Sequence, residues 1–288
     1  MRWTIEQERP AVATFLPADE CAGFVDYYRG LPAADDARAI AGYARGLWRG
    51  EAGWAARWIA AARARTGRAP RVLDAGCGYG TFSLLFAAVG AEVTGADLRP
   101  DRLAVADCRR EFHAASTGTT LSVVFERRDL ARDWQERFDV VWVHNALSHI
   151  DPLEPFLDRV GRQLTPGGVL VVGDINGANP AQRRRLARLR SEVHQEYVAP
   201  DGRRHAYAVE RPFTPDELDA EARAHGLTSV HHELYWTGLA RAPELVYVAL
   251  IAPLQGWRWF GRRWGRRQLF VAQKPDAGVS AGPRAGKG

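Results

Sequence analysis

The stretch Val72-Leu73-Asp74-Ala75-Gly76-Cys77-Gly78-Tyr79-Gly80 decides the fold of this 288-residue chain. An apolar run typical of a buried strand enters a turn with glycine at every second position, and a helical pattern starts near Thr81. Glycine permits a positive φ and lets a ligand approach the backbone without meeting a Cβ atom. Open α/β sheets bind ligands at the carboxyl ends of their strands. The stretch therefore predicts a ligand-binding loop after the first strand of such a sheet.

The chain after residue 71 alternates short Val-rich runs with helical ones. Helical patterns cover 81–89 and 101–116, between candidate strands at 71–75, 92–96, 121–126, 139–144 and 169–174. This rhythm predicts an α/β fold with a doubly wound, Rossmann-like parallel sheet and right-handed crossovers. A long basic helix is predicted over 181–197, and two further strands over 229–235 and 268–273. Thr214, with Pro215 and Glu217, predicts the capped start of another helix.

The predicted core spans residues 67–274. One segment precedes it, one is inserted in it and one follows it. Apolar side chains recur at helical spacing over 37–62, so we expect residues 1–66 to form an N-terminal helical lid segment. Residues 236–267 are an insertion, apolar first and then aromatic and basic. The tail 275–288 is rich in Gly, Ala and Pro, so we expect it to be disordered.

Composition excludes several classes of protein. With 46% hydrophobic and 25% charged residues, the chain resembles an ordinary globular protein. The longest apolar run, Leu245–Leu254, is too short to cross a bilayer, and the charged N-terminus does not resemble a signal peptide. The three cysteines, Cys21, Cys77 and Cys108, form neither a disulfide framework nor a zinc motif. We therefore expect a cytoplasmic protein that holds no metal.

The net charge of +5 is unevenly distributed. Eight basic residues and one acidic residue from Trp257 onward give that segment +7 and leave −2 for the rest of the chain. The sequence pI of 9.4 therefore reports a local feature. Because the body is slightly acidic, we expect no DNA partner.

The spacing of the glycines restricts the class of ligand that the loop can bind. Residues 76, 78 and 80 give Gly-x-Gly-x-Gly, whereas a dinucleotide fold has Gly-x-Gly-x-x-Gly, and no Lys-Ser or Lys-Thr follows as in a phosphate-binding P-loop. Asp74 beside the loop would repel a phosphate and attract an amino group. The loop thus suits a ligand with a positively charged amino acid moiety.

Two more carboxylates follow the next two strands. Asp97 ends the second strand, seventeen residues after Gly80, where it can accept hydrogen bonds from both hydroxyls of a ribose. Asp129 follows the third strand, in position to meet an exocyclic amine of a base. Together the three acids predict a site for a nucleoside joined to an amino acid moiety.

These motifs resemble those of the class I S-adenosylmethionine-dependent methyltransferases that act on small molecules. The stretch 74–80 is similar to that family's cofactor loop, Asp97 to its ribose-binding acid and Asp129 to its adenine-contacting acid. Phe138-Asp139-Val140-Val141 resembles the start of its fourth strand, and Leu164-Thr165-Pro166-Gly167-Gly168 the turn into its fifth. The five matches occur in the family's order within residues 71–174.

The resemblance implies a seven-stranded sheet of order 3-2-1-4-5-7-6 whose last strand is antiparallel. It also implies S-adenosylmethionine as the cofactor. The candidate cofactor-binding residues are Asp74, Gly76, Cys77, Gly78, Gly80, Asp97, Leu98, Asp129, Leu130 and Asn145.

The residues after the fourth strand face the reacting methyl group in this fold. His149 and His144 are the candidate catalytic bases, although a histidine here also packs against or caps the adjacent helix. Asn145 could hold the amino group or the carboxylate of the cofactor. The amine-directed Asn/Asp-Pro-Pro-aromatic signature and the Pro-Cys pair of cytosine-C5 enzymes are both missing from the sequence.

Three further residues are candidate contacts of the substrate. Asn176 and Asn179 follow the fifth strand in a Gly/Pro loop, where turn chemistry explains them equally well. Tyr28 lies in the N-terminal segment, which in similar enzymes closes over the cofactor as a lid.

The insertion interleaves tryptophan with arginine over 243–267. The pattern fits a wall over a greasy acceptor, which we favour, a peripheral membrane contact, a dimer contact or stacking on single-stranded RNA.

The sequence therefore predicts methyl transfer from S-adenosylmethionine to a small or amphipathic organic acceptor, onto oxygen rather than nitrogen. The alternatives are methylation of RNA or protein guided by the insertion, and a non-catalytic protein that binds S-adenosylmethionine. A nicotinamide oxidoreductase is the weakest rival.

Overall fold

The computed structural model describes residues 51–118, 120–132, 134–189, 194–198, 204–208, 211–235 and 263–276. Its helices are α1 Glu51–Thr66, α2 Thr81–Ala88, α3 Pro100–Thr117, α4 Leu153–Gln163, α5 Pro180–Leu189 and α6 Pro215–Ala224. Its strands are β1 Arg71–Ala75, β2 Glu92–Asp97, β3 Val123–Arg127, β4 Phe138–His144, β5 Leu164–Ile175, β6 His194–Val198, β7 Arg204–Ala208, β8 Thr228–Tyr235 and β9 Arg267–Gln273. A 3-10 turn, Leu147–His149, follows β4.

Seven of these strands form one sheet of order β3-β2-β1-β4-β5-β9-β8. Strands β1 to β5 pair in parallel, whereas β9 pairs antiparallel with both β5 and β8. Without the separate hairpin β6–β7, this is the order 3-2-1-4-5-7-6. The predicted fold class, including the antiparallel last strand, is therefore confirmed.

The central strands are buried without alternation. In β4, every residue from Phe138 to Val143 is buried, as expected for a parallel strand covered by helices on both faces. On one face β4 and its neighbours pack against Phe156 of α4 and Leu218 of α6. On the other they pack against Ile59 of α1 and Phe86 of α2. These two layers fix the strand ends that carry the candidate site.

The predicted cap of α6 is present. Thr214 accepts a hydrogen bond from Glu217 N at 3.2 Å, and Glu217 Oε2 accepts one from Thr214 N at 2.7 Å. With Pro215 in the first turn, this is the capping box that the sequence indicated.

The prediction of one long helix over 181–197 is wrong in its second half. Helix α5 ends at Leu189, and His194–Val198 pairs antiparallel with Arg204–Ala208 as the hairpin β6–β7. The arginine-rich start of the segment favours a helix, but Tyr197 and Val198 favour a strand. The Asp-Gly pair at 201–202 is also a hairpin signal.

Asp139 occupies the edge of the sheet opposite the glycine loop. Its carboxylate is fully buried at the start of β4, where it accepts hydrogen bonds from Arg71 N at 2.9 Å and Thr165 Oγ1 at 2.9 Å. It also forms an ion pair with Arg68 at 3.0 Å. Asp139 thus joins β1, β4 and β5 and is a structural acid.

Several predictions concern residues outside the described ranges, namely Tyr28, most of the insertion and the tail. The described end of the N-terminal segment, α1, packs Ile59 and Ala62 into the core. Arg65 near its end donates to Pro166 O at 2.7 Å. The domain boundaries and the lid role of residues 1–66 stay predictions. Among the helices described, none combines the length and hydropathy needed to cross a bilayer.

A pair of strand residues marks where the insertion leaves the sheet and where it returns. Tyr235, the last residue of β8, pairs with Arg267, the first residue of β9. Because β9 is antiparallel to β5, this pair lies at the edge of the sheet that carries the glycine loop. Both ends of the intervening segment are therefore held at that edge.

Candidate active site

The glycine loop is bonded to the end of the neighbouring strand β2. The backbone N–H groups of Gly76 and Cys77 both donate to Ala96 O, at 2.8 and 3.0 Å. Gly80 N then donates to Cys77 O at 2.9 Å and α2 begins. All three loop glycines have positive φ values, between +54° and +76°. The chain therefore turns tightly from β1 into α2.

The three glycines meet different surroundings. A Cβ atom at Gly76 would lie 2.5 Å from Ala146 Cβ, and one at Gly80 would lie 2.7 Å from Phe125 Cζ. At Gly78 a Cβ atom would meet nothing within 4 Å. Packing within the protein thus requires glycine at 76 and 80, whereas Gly78 borders open space where a ligand can approach the backbone.

Asp97 holds this open part of the loop. Its Oδ2 accepts a hydrogen bond from Gly78 N at 2.9 Å, and its Oδ1 accepts one from Arg99 N at 3.0 Å. The residue is only 9% exposed, with half-buried Leu98 next to it. Two carboxylate oxygens offer about four acceptor positions, so Asp97 has the capacity to accept further hydrogen bonds from a diol.

Asp129 lies at the same edge of the sheet. Arg128 N donates to Asp97 O at 3.1 Å, which joins the loop after β3 to the end of β2. Asp129 is partly exposed, and its Oδ1 accepts a hydrogen bond from Ala131 N at 3.0 Å. Leu130 beside it is buried. The structure therefore places the second and third predicted acids at the same edge of the sheet.

Asp74 lies deeper than the other two acids. It is 3% exposed, and Ser83 Oγ of α2 donates a hydrogen bond to its Oδ2 at 2.5 Å. Burial raises the pKa of Asp74 to about 6, although the Ser83 hydrogen bond and the charge of His144 lower it. Burial and the nearby acids also raise the pKa of the Cys77 thiol, which argues against a nucleophilic role.

Asn145 follows β4 in a left-handed conformation. Its φ is +52°, and no other described residue except glycine has a positive φ. Its N–H donates to Gly173 O of β5 at 2.8 Å, and this turn presses Ala146 against Gly76. Asparagine tolerates such a conformation better than most residues. The turn after β4 is thus packed directly on the glycine loop.

The two candidate bases differ in their surroundings. The His144 ring packs 4.5 Å from Phe82, and Arg267 Nη2 lies 3.2 Å from its Nε2. A guanidinium can only donate, so Nε2 is the acceptor in this contact. His149 lies half-buried on the 3-10 turn. The structure thus shows a polar partner for His144, and the catalytic roles of both histidines stay predictions.

Asn176 and Asn179 are buried, and their amides bond to backbone groups. Asn176 Nδ2 donates to Gly265 O at 2.9 Å, and Asn179 Nδ2 donates to Trp264 O at 2.7 Å. Asn179 Oδ1 accepts from Gln182 N at 3.1 Å, which caps α5. Turn chemistry explains these contacts, which join the loop after β5 to the segment before β9. A contact with substrate stays a prediction.

We expect Asn179→Ala to lower the free energy of unfolding by about 1–2 kcal/mol, because it removes the cap of α5. Urea denaturation measures this loss, and calorimetry should find the affinity for S-adenosylhomocysteine within twofold of the original. Asn179→Asp, which keeps the capping oxygen, is the matched control and should recover part of the stability. Unchanged stability with impaired acceptor binding would instead indicate a substrate contact.

Arg267 is a site residue that was not predicted from the sequence. The predicted site residues follow the carboxyl ends of parallel strands, whereas Arg267 is the first residue of an antiparallel strand and so reaches the same edge. Its Nη2 donates to Asn145 Oδ1 at 2.7 Å. The expected antiparallel last strand was the signal that could have identified it.

Asp174, near the end of β5, is a second buried acid at this edge. Its Oδ2 accepts a hydrogen bond from Ser148 N at 3.3 Å. Burial raises its pKa, although the charges of Arg267 and His144 lower it. In the described ranges, no three His, Cys, Asp or Glu side chains are grouped as metal ligands.

The sheet order, the open glycine loop and the acids after β2 and β3 define the class I methyltransferase fold. The sequence profile of a family described as "Methyltransferase domain" matches residues 47–232. The chain therefore belongs to this family of S-adenosylmethionine-dependent methyltransferases. The open backbone at Gly78 beside Asp97 fits its cofactor, S-adenosylmethionine.

Two curated relatives carry the name ubiquinone biosynthesis O-methyltransferase. The protein from Azorhizobium caulinodans is 31% identical over 156 residues, which are 54% of this chain and 58% of that protein. The one from Methylobacterium nodulans is 28% identical over 207 residues, 72% and 73% of the two chains. The match thus spans less than two thirds of the length of the first relative.

A solved structure shares the fold. Magnesium protoporphyrin IX methyltransferase from Synechocystis PCC 6803, with bound S-adenosylhomocysteine, aligns with a TM-score of 0.55 at 14% identity. The alignment covers 88% of this chain and 94% of that one. At this identity the likeness concerns the fold alone.

Proposed function

We propose that this protein transfers the methyl group of S-adenosylmethionine to an oxygen atom of a small organic acceptor. The observation that carries the proposal is the open backbone at Gly78, held by Asp97, at the sheet edge where the His149 turn follows β4. The names of the curated O-methyltransferase relatives support oxygen as the accepting atom.

Each part of the donor has candidate residues at this edge. Asp97 would accept hydrogen bonds from the ribose hydroxyls, and Asp129 from the adenine amine. Gly78 allows close approach to the backbone. Asp74 lies near the end of β1, directly before the loop, and Asn145 follows β4, so both would suit the amino acid moiety. When bound, the donor supplies a methyl group already activated by its sulfonium.

The protein's part in the reaction is alignment and proton transfer. Much of the rate enhancement in such a reaction comes from holding the reacting atoms in line. The packing of Ala146 on Gly76 fixes the turn after β4 next to the donor loop. His149 on this turn would accept the proton of the acceptor hydroxyl, which increases the nucleophilicity of the oxygen.

The proposal is tested with labelled S-adenosylmethionine and paired acceptors. Catechol and its derivatives supply hydroxyl groups, and the matching anilines supply amines. We expect label on the hydroxyl compounds. Binding of S-adenosylhomocysteine without transfer to any acceptor would favour the non-catalytic alternative. Transfer confined to RNA or protein would favour methylation of a macromolecule.

We expect His149→Gln to lower kcat about 100-fold with catechol, the lower part of the range for general bases, and to leave the affinity for S-adenosylhomocysteine unchanged. An acceptor whose hydroxyl ionises without a base should not need His149, so kcat with 4-nitrocatechol should fall less than about fivefold. His225→Gln, which removes a histidine at the end of α6 that faces Asp158, is the control. Equal losses with both acceptors would contradict a role as base.

A further inference from the structure

Arg267, Asn145 and His144 form a hydrogen-bonded cluster, here called the Arg267 cluster. Arg267 Nη2 donates to Asn145 Oδ1 at 2.7 Å and to His144 Nε2 at 3.2 Å. Asn145 Oδ1 accepts from the guanidinium, and the NH2 end of its amide lies 3.4 Å from His144 Nδ1. The side chain of Asn145 is exposed, so the cluster presents donors at the protein surface.

The sheet topology brings Arg267 to this position across a whole strand. Strand β9 lies beside β5, and β4 lies on the other side of β5. The strand between them carries Gly173, where a Cβ atom would lie 3.0 Å from His144 Cδ2. The absence of a side chain at Gly173 leaves room for the His144 ring that Arg267 reaches.

The Arg267 cluster adjoins the donor loop. Asn145 is followed by Ala146, which packs on Gly76. A ligand seated on the loop therefore has one end next to Asn145. The predicted ribose and adenine contacts, Asp97 and Asp129, lie toward β2 and β3 on the other side of β1. The amino acid end of the donor, and the acceptor that meets it, are the groups that face Arg267.

The charge of the cluster is positive. A guanidinium stays protonated under all ordinary conditions. Its acidic neighbour Asp174 is buried, and burial raises the pKa of that carboxyl. A buried carboxyl with a raised pKa neutralises a nearby cation less completely than an exposed carboxylate does. A bound anion would neutralise the remaining positive charge of Arg267.

We propose that Arg267 and Asn145 form a carboxylate-binding site at the methyl-transfer edge. The proposal rests on the proposed function, which places the donor on the glycine loop. Two carboxylates have the required chemistry: that of the methionine moiety of the donor and one carried by the acceptor. A guanidinium with an adjacent amide NH2 matches the geometry of either.

Calorimetry with Arg267→Gln distinguishes the two sources. S-adenosylhomocysteine carries the amino acid carboxylate, whereas 5′-methylthioadenosine lacks it. If the donor is the source, the variant should bind S-adenosylhomocysteine about tenfold or more weakly and 5′-methylthioadenosine as before. If the acceptor is the source, both adenosyl ligands bind normally. In that case 3,4-dihydroxybenzoate, added with S-adenosylhomocysteine, should bind at least tenfold more weakly while its methyl ester is unaffected.

Two further variants complete the test. Arg184→Gln removes the same charge from an exposed position on α5 and should leave all four affinities unchanged. Arg267→Lys keeps the positive charge but not the two parallel N–H donors of the guanidinium. Its affinity for the carboxylate ligand should lie between those of the original protein and Arg267→Gln. Binding of 5′-methylthioadenosine reports an intact site in each variant. Unchanged affinity of Arg267→Gln for all the carboxylate ligands overturns this proposal, whereas failure of the original protein to bind S-adenosylhomocysteine overturns the proposed function.

Discussion

Asp97→Ala should weaken the binding of S-adenosylhomocysteine by at least about 100-fold. In the proposed complex the carboxylate accepts two hydrogen bonds from the ribose, and hydrogen bonds to a charged group contribute roughly 1.5–3 kcal/mol each. The same side chain accepts from Gly78 N at 2.9 Å, so its loss also loosens the open part of the loop. Calorimetry measures the affinity. The affinity for 5′-methylthioadenosine, which keeps the ribose, should fall by the same factor.

The control for this prediction removes a carboxylate four residues away. Asp101, in the first turn of α3, forms an ion pair with Arg99 and is partly exposed. We expect Asp101→Ala to change the affinity less than threefold. Asp97→Asn keeps one acceptor oxygen and should show an intermediate loss. An Asp97→Ala protein that binds both adenosyl ligands normally would show that Asp97 does not hold the ribose.

Asp74→Asn should change stability and donor binding in opposite directions. The folded carboxyl has a pKa of about 6 because of burial, whereas an unfolded chain loses this proton near pH 4. Between these values the folded state binds more protons, so Asp74 lowers stability as the pH rises. Asparagine has no such charge. The stability of the variant relative to the original should therefore be about 2 kcal/mol more favourable at pH 7.5 than at pH 4.5.

The same substitution should weaken the binding of S-adenosylhomocysteine about tenfold at pH 7.5, because it removes the negative charge nearest the predicted amino group. Urea denaturation at the two pH values measures the first effect and calorimetry the second. Ser83→Ala, which removes the hydrogen bond to Asp74 but keeps its charge, is the companion variant and should retain the affinity within about threefold. A stability difference independent of pH would contradict the buried charge at Asp74.

The fold follows closely from one local pattern. The run from Val72 to Gly80 combines an apolar strand, a turn that needs positive φ and a helix start, and this combination has few structural solutions. The acids at 97 and 129 then fall at strand ends because the β-α-β rhythm places them there. Residues whose position depends on strand order alone were predicted in the right place.

The residues that the sequence could not place depend on contacts across the fold. Arg267 reaches Asn145 because β9 is antiparallel to β5, so its first residue lies at the edge where β4 ends. Asn179 caps α5 and bonds to Trp264 O, a residue 85 positions away. Neighbouring elements determine both of these contacts. The helix predicted over 181–197 is wrong for a different reason, because the local signals of its second half, Tyr197, Val198 and the Asp-Gly pair at 201–202, favour a hairpin.

The pairing of Tyr235 with Arg267 bears on how the stretch between them can vary. The chain leaves the sheet after Tyr235 and returns at its paired residue Arg267, so the two attachment points of this stretch lie side by side. A stretch attached in this way is replaceable by another of different length without disturbing strand register. A change in the length of this stretch would therefore leave Asp97 and Asp129 at their strand ends.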